Sequence, residues 1–481
     1  MLPLILAAAE PAAAAAGTNS TSDDASMQDT VEDLRYFASF IVPLTAVACV
    51  LLIAQRFLKG AMPSMVLSGL VFMTLKTQGA PQLPAASSKK QEKKQSKAVP
   101  SSSVMTWSQV HPGLLDRLEM TEEFDMLLLG CVSFATIATC AVAIKWLLYP
   151  IVPTFYLSFS ITGLFFVVGL MIKLEWAHSA VVRSEKISML LVGLAAASLS
   201  FWLLMYAPRS LHAFDAQRAS VELAGRFKNL MDTRLKKLPA SLDLQAPELV
   251  ELPAMGVALP LALAGGLLSA LLMAPGLRYG KVLQVLLKPP LWARNFAGRP
   301  SLGRLLVQAG FLAQVALLPL WVPTLMDALR LPPGVVCYLR GGSMLLVVGL
   351  QLLALPNLAQ AHLFIAAYKA DIIQNMSVLD AASRTALLKR QFSRTLSELC
   401  KVALQLAFVP TLLLLCGCLH MLMAYPSPLA ADHPKASIWD KQPSVLFQTL
   451  AGFLGWWACG SLVVWAVIGV VLTRAQGGLA D

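Results

Sequence analysis

The sequence predicts an all-α fold, a polytopic membrane helix bundle with about nine transmembrane helices. Three observations predict it. Of 481 residues, 57% are hydrophobic and only 14% are charged, too little charge to dress a soluble protein of this size. The apolar residues gather in runs of about 20, long enough to cross a hydrocarbon core of ~30 Å as helix. Lys and Arg sit in short segments between those runs, the pattern that orients membrane helices. The net charge of +11 is therefore read as a topology signal and not as a nucleic-acid footprint.

Taken in chain order, residues 1–36 form an Ala-rich tail expected to be disordered and extracytosolic, with six acidic residues against one Arg. Asn19-Ser20-Thr21 is a glycosylation sequon on that side, so Asn19 is the candidate glycan acceptor. The first span covers 37–58. Residues 59–124 make a basic cytosolic loop, partly disordered, with eight Lys and Arg that include Lys89, Lys90, Lys93 and Lys94. Spans two to four occupy 125–206, at 125–148, 152–172 and 187–206, with Tyr149–Pro153 turning the chain between the first two of these. Residues 207–252 form an extracytosolic loop with an amphipathic helix, although its seven basic residues are only nearly balanced by six acidic ones.

Spans five to nine fill 253–475, at 253–274, 303–326, 335–355, 399–424 and 446–473, which leaves the C-terminus cytosolic. Pro275–Leu305 carries six basic residues and no acid, as a cytosolic connection should. A cytosolic helical segment is expected at 369–398. Within it Leu388, Phe392 and Leu396 stand four apart with Lys389, Arg390 and Arg394 between them. That is an amphipathic helix, lying on cytosolic headgroups or capping the bundle.

The span interiors contain no Asp or Glu. Pumps and ion-coupled carriers route charge through such carboxylates, and aspartyl proteolysis needs two, so both classes lose weight. The notable polar residues in the spans are Lys145, Arg340 and His420. Lys145, four residues before Tyr149, suits snorkelling to an interface. Arg340 either snorkels or is an interior cation facing a polar cavity or an anion. Gln351, Gln360 and His362 continue a polar line down the same helix past Pro356, and with Arg340 they make the candidate intramembrane polar site. Gln308, Gln314 and Gln405 lie in neighbouring spans. Inter-helix hydrogen bonding and a water-filled path both fit such a line. Small residues recur as Gly193 with Ala197, Gly265 with Ser269, Gly266 with Ala270, and Ala451, Gly455, Cys459, which lets helices approach closely. The eight cysteines show no C-x-x-C spacing and read as apolar fillers. Motifs for zinc proteases, serine hydrolases, phosphate loops and dinucleotide binding are missing, so no enzyme, no cofactor and no metal are expected.

Several stretches carry a resemblance. Pro275-Gly276-Leu277-Arg278 closes a Gly-rich span, followed by Arg299-Pro300-Ser301-Leu302-Gly303-Arg304-Leu305-Leu306, Phe311-Leu312 and Leu320-Trp321. Pro356-Asn357-Leu358-Ala359-Gln360-Ala361-His362-Leu363 leads to Lys369, and the last span carries Trp456-Trp457-Ala458-Cys459. In order and spacing these resemble the transmembrane protein 161 family over about residues 255–475, and by layout before that. The chain departs from the family pattern in its Ala-rich extension and in His362, where the pattern has Tyr. The resemblance implies a multi-pass protein linked to stress tolerance and to control of cation currents, with no catalytic residues to carry over. Two expectations follow. One is a non-enzymatic modulator of ion currents or stress response, in an endomembrane or the plasma membrane, whose partners are the lipid bilayer and other membrane proteins such as ion channels. The other is a transporter or channel for a neutral or anionic solute along the seventh span. A tightly packed, dry bundle favours the first, and a mid-membrane cavity lined by Arg340, Gln351 and polar neighbours the second.

Overall fold

In a bilayer every backbone N–H and C=O must be bonded internally, so apolar runs of this length fold as helices. The computed structural model describes Thr45 and residues 66–77, 103–115, 118, 120–147, 154–177, 183–235, 253–287, 300–375, 380–423 and 444–475. The described helices are α1 (Thr121–Leu147), α2 (Thr154–Ile172), α3 (Arg183–Tyr206), α4 (Ala216–Leu235), α5 (Met255–Leu287), α6 (Pro300–Leu317), α7 (Pro333–Asn375), α8 (Ala381–Ser397), α9 (Leu399–Met423) and α10 (Val445–Ala475), with shorter turns between them. Among the described residues, seven helical stretches are long and apolar enough to cross a membrane. They match the expected spans two and four to nine. The expected third span falls on α2, which is not among the seven, and the first lies outside the described residues, as do Asn19 and the Lys89–Lys94 block.

The bundle is built around α9. Residues 399–420 of this helix are all buried, ringed by α1, α2, α7 and α10. A helix apolar on every side has this fate when its neighbours are helices. By contrast α3 is peripheral. It turns Leu190, Leu191, Leu194, Leu199 and Trp202 outward and lies along α5 with its small residues. Gly193 and Ala197 meet Gly266 and Ala270 there; a Cβ on Gly266 would fall 2.5 Å from the Gly193 carbonyl oxygen, so only glycine permits the approach. Polar glue joins α5 to α10: the Trp457 indole N–H donates to the Gly265 carbonyl (2.8 Å) and to Ser269 Oγ (2.8 Å).

The expected loop 59–124 contains a β-hairpin, a small exception within an otherwise helical fold. β1 (Val71–Thr77) and β2 (Ser103–Gln109) run antiparallel, pairing Val71 with Gln109 through Thr77 with Ser103. Period-two alternation explains it. Met73, Met105 and Trp107 share a face that packs on α7 and α8, with Trp107 edge-on to Phe364 at 6.1 Å. The opposite face carries Thr74, whose hydroxyl bonds Thr106 Oγ1 (3.2 Å) and Ser108 Oγ (3.1 Å).

Helix ends also differ from the apolar windows. α5 continues through Pro275 to Leu287, and α7 runs 43 residues, about 64 Å at 1.5 Å per residue, through Pro356 and past the expected end at 355. Hydropathy reports where a helix is apolar, not where it stops. The amphipathic α8 starts from an Asp380 cap that accepts from the Ser383 N–H, and it buries Leu388 and Phe392 against α7 and the hairpin. Of its two expected positions, it takes the one capping the bundle.

Among the described residues, the connections gather at two ends of the bundle. At one, here the hairpin end, gather the hairpin, α8, the turn after α2 and the extension of α5. At the other, the Trp321 end, α4 clips the start of α10: Glu222 accepts from Ser444 Oγ (2.6 Å), from the Leu446 N–H (2.9 Å) and from Arg226 (2.5 Å).

Candidate functional site

The four polar residues singled out on α7 do not form one site. From Arg340 to His362 the helix rises about 33 Å, so they occupy separate levels. Arg340 is at the Trp321 end. Its Nε donates to the Leu320 carbonyl (2.9 Å), and its guanidinium lies 4.7 Å from the centroid of the Trp321 ring. Trp321 is 1% exposed, stacked on Phe214 at 5.1 Å and met edge-on by His420 at 5.4 Å. His420 Nε2 in turn is 2.9 Å from Cys337 Sγ. A ring face and a carbonyl thus receive this cation.

Gln360 is a clip for the hairpin. The Val71 N–H donates to its Oε1 (2.8 Å), and its Nε2 donates to the Val71 carbonyl (2.8 Å), so the side-chain amide stands in for a neighbouring strand. His362 lies one level deeper toward the hairpin end, within electrostatic reach of Arg278, Glu398 and Lys369, and its Nε2 is buried without a hydrogen-bond partner. The side chain of Lys145 lies outside the described ones.

Gln351 sits between these ends, 5% exposed, at a cavity of about 10 Å³. Pro275 and Tyr279 of α5, Leu358 of α7, and Gln405 and Leu406 of α9 share its wall. The Oε1 of Gln351 is buried and has no hydrogen-bond partner. Gln405 leads from this cavity to a cluster of charged side chains. Its Nε2 donates to Glu175, and its Oε1 accepts from Arg278 Nη1. One amide, 1% exposed, thereby bridges a carboxylate and a guanidinium. Lys401, buried one turn earlier on α9, adds a second positive charge within reach of Glu175.

Glu175 itself is 2% exposed and sits in a π-helical turn, Lys173–Ala177, that continues α2. Such turns displace a side chain from the regular helical face and recur at functional sites. Burial pushes its carboxyl above the usual carboxylate range, against the opposing pull of the Gln405 hydrogen bond and of Arg278 and Lys401. Beside it, Lys173 pairs with Glu123 at 2.8 Å at the surface.

The sequence reading missed Glu175, Arg278 and Lys401 as interior groups, because Glu175 and Arg278 fall just beyond the apolar windows and Lys401 lies at the start of one. One signal was present: Lys401 and Gln405 are four apart and so share a helical face. Among the described residues, no group of three or more His, Cys, Asp or Glu side chains is placed to hold a metal ion. The arrangement can bind and relay hydrogen bonds and can hold charge, and its cavity of about 10 Å³ has room for one water molecule. Compared with protein-family models, with curated proteins and with solved structures, the chain matches none of them.

Proposed function

We propose that this chain is a non-enzymatic membrane protein that modulates ion currents or a stress response through other proteins in the bilayer. The observation that carries the reading is, among the described residues, the burial of α9 from residue 399 to 420, where the cavity at Gln351 measures about 10 Å³. A permeation path needs a polar or wettable opening that runs between the two faces, and small-molecule sites occupy roughly 300–1,000 Å³. A bundle closed around its central helix acts instead through its outer surfaces, and the apolar helices supply those in a lipid bilayer. The resemblance to the transmembrane protein 161 family adds the subject of the modulation. Charge alternation puts the N-terminus on the extracytosolic side, where Asn19 is open to glycosylation, and the C-terminus in the cytosol.

The second reading, a transporter or channel for a neutral or anionic solute, draws on Gln351 and Gln405 facing the cavity. The two separate in one experiment: ion and solute flux through the purified full chain in liposomes, with Arg340→Ala alongside. The modulator reading expects flux no greater than in empty liposomes for both proteins. Flux by the unmodified chain that Arg340→Ala abolishes makes it a carrier or channel and sinks the proposal.

A further inference from the structure

We infer that the cavity at Gln351 is the binding site of one ordered water molecule, which ties α7 to α9 inside the bundle. Pro275, Pro356 and Pro410 interrupt α5, α7 and α9, and the cavity is walled by Pro275 itself, by Leu358 two residues after Pro356, and by Leu406. A proline inside a helix has no N–H for the carbonyl four residues before it, so Pro410 leaves the Leu406 carbonyl without its helical donor. Carbonyls freed in membrane helices find side chains or ordered waters. The site therefore lies beside one freed carbonyl, that of Leu406, with the Pro275 ring on its wall.

The second observation is the orphan. Gln351 is 95% buried by its 5% exposure, and its Oε1 is an acceptor with no donor. An unpaired amide in such surroundings carries a desolvation cost that a bridging water removes. The lining also supplies donors. The Tyr279 hydroxyl is one, and the Gln405 amide has a second N–H beyond the one it gives to Glu175. A water here donates to Gln351 Oε1 and to the Leu406 carbonyl, and accepts from Tyr279 or Gln405.

Size and charge select water over other ligands. About 10 Å³ is room for one water and for no organic solute. A metal or alkali cation is disfavoured by the Arg278 guanidinium on Gln405 and by Lys401 one turn away. An anion is disfavoured because the unsatisfied atom on the wall is itself an acceptor. A single bridging water is not a path, so this inference goes beyond the proposed function without resting on it.

The test is a map of the full chain in lipid nanodiscs, at a resolution that shows ordered waters, together with the thermal stability of Gln351→Leu. The expected result is a density peak about 2.8–3.0 Å from Gln351 Oε1 in the unmodified protein. The variant should lose that peak and melt a few degrees lower, because its water has lost a partner. An empty cavity, in a map that resolves other buried waters, overturns the inference. So does a Gln351→Leu protein that melts higher, since a leucine then relieves an orphaned amide in a dry cavity.

Discussion

The two ends of the bundle each hold a positive charge inside, and they do so differently. At the Trp321 end Arg340 is met by a carbonyl and an aromatic face, both neutral. At the hairpin end Arg278 reaches its carboxylate through an intervening amide, with Lys401 close by. The first solution depends on shape and aromatic packing, where Phe214, Trp321, Phe453 and Trp456 crowd together. The second depends on charge balance. Removing one member of a buried ionic set unbalances the others, whereas removing a cation held by a carbonyl and a ring takes away one hydrogen bond and one ring contact.

The largest effect is therefore expected from Glu175→Leu, which removes the carboxyl that anchors the Gln405 amide and lies within electrostatic reach of Arg278 and Lys401. Loss of a buried partner of this kind costs about 3–5 kcal/mol. Denaturant unfolding of the purified protein in micelles checks it, and a loss no larger than that of a surface substitution would show that the carboxylate is not the counterion. Arg340→Ala should cost less, about 1–2 kcal/mol, the worth of a desolvated cation–π contact and a hydrogen bond. If the same unfolding experiment ranks Arg340→Ala above Glu175→Leu, the contrast between the ends is wrong.

The smallest effect separates the ends by sign. At the hairpin end Glu175 has its carboxyl raised by burial, with Gln405, Arg278 and Lys401 opposing and Glu185 adding a little. A raised folded value means that the native state holds the proton more tightly. Its contribution is complete below the unfolded value near 4.5 and is lost as pH rises through the folded value. At the Trp321 end His212 is lowered by burial; it stacks on Phe214 at 5.9 Å and accepts from the Phe214 N–H (3.3 Å). Its contribution is present above 6.5 and is lost as pH falls through the folded value. Hydrogen exchange followed by segment against pH should show α9 near Gln405 loosening as pH rises, and residues 212–216 loosening as pH falls. Slopes of the same sign at both ends would remove the distinction.

Much of the fold was legible because lipid imposes simple demands. Apolar length located the helices, and the small-residue pairs on α3 and α5 do interlock. Leu388 and Phe392, four apart, correctly announced the buried face of α8. The hairpin was not legible because each strand is only seven residues long and both lie in a segment whose lysines mark it as a basic loop. The candidate site was legible only in part. Gln351 faces a cavity, but a polar line on one helix spreads over its length, and Arg340, Gln360 and His362 belong to other neighbourhoods. The residues that converge with Gln405 come from three different segments, two of them just past the edge of an apolar window. Convergence of that kind is a property of the packing, and its one local trace is the four-residue spacing of Lys401 and Gln405.

The clip between Gln360 and Val71 joins residues 289 positions apart in the chain. The strand is made early in synthesis, and the amide that completes its edge emerges only after six further expected spans have been translated. Until then the hairpin has neither Gln360 nor Phe364 nor α8 to dock on, and its apolar face must wait in water. Assembly of this end is consequently late, and the exposed strand edge is an opportunity for mispairing throughout that interval. A chain interrupted before residue 360 would carry the hairpin sequence with nowhere to put it.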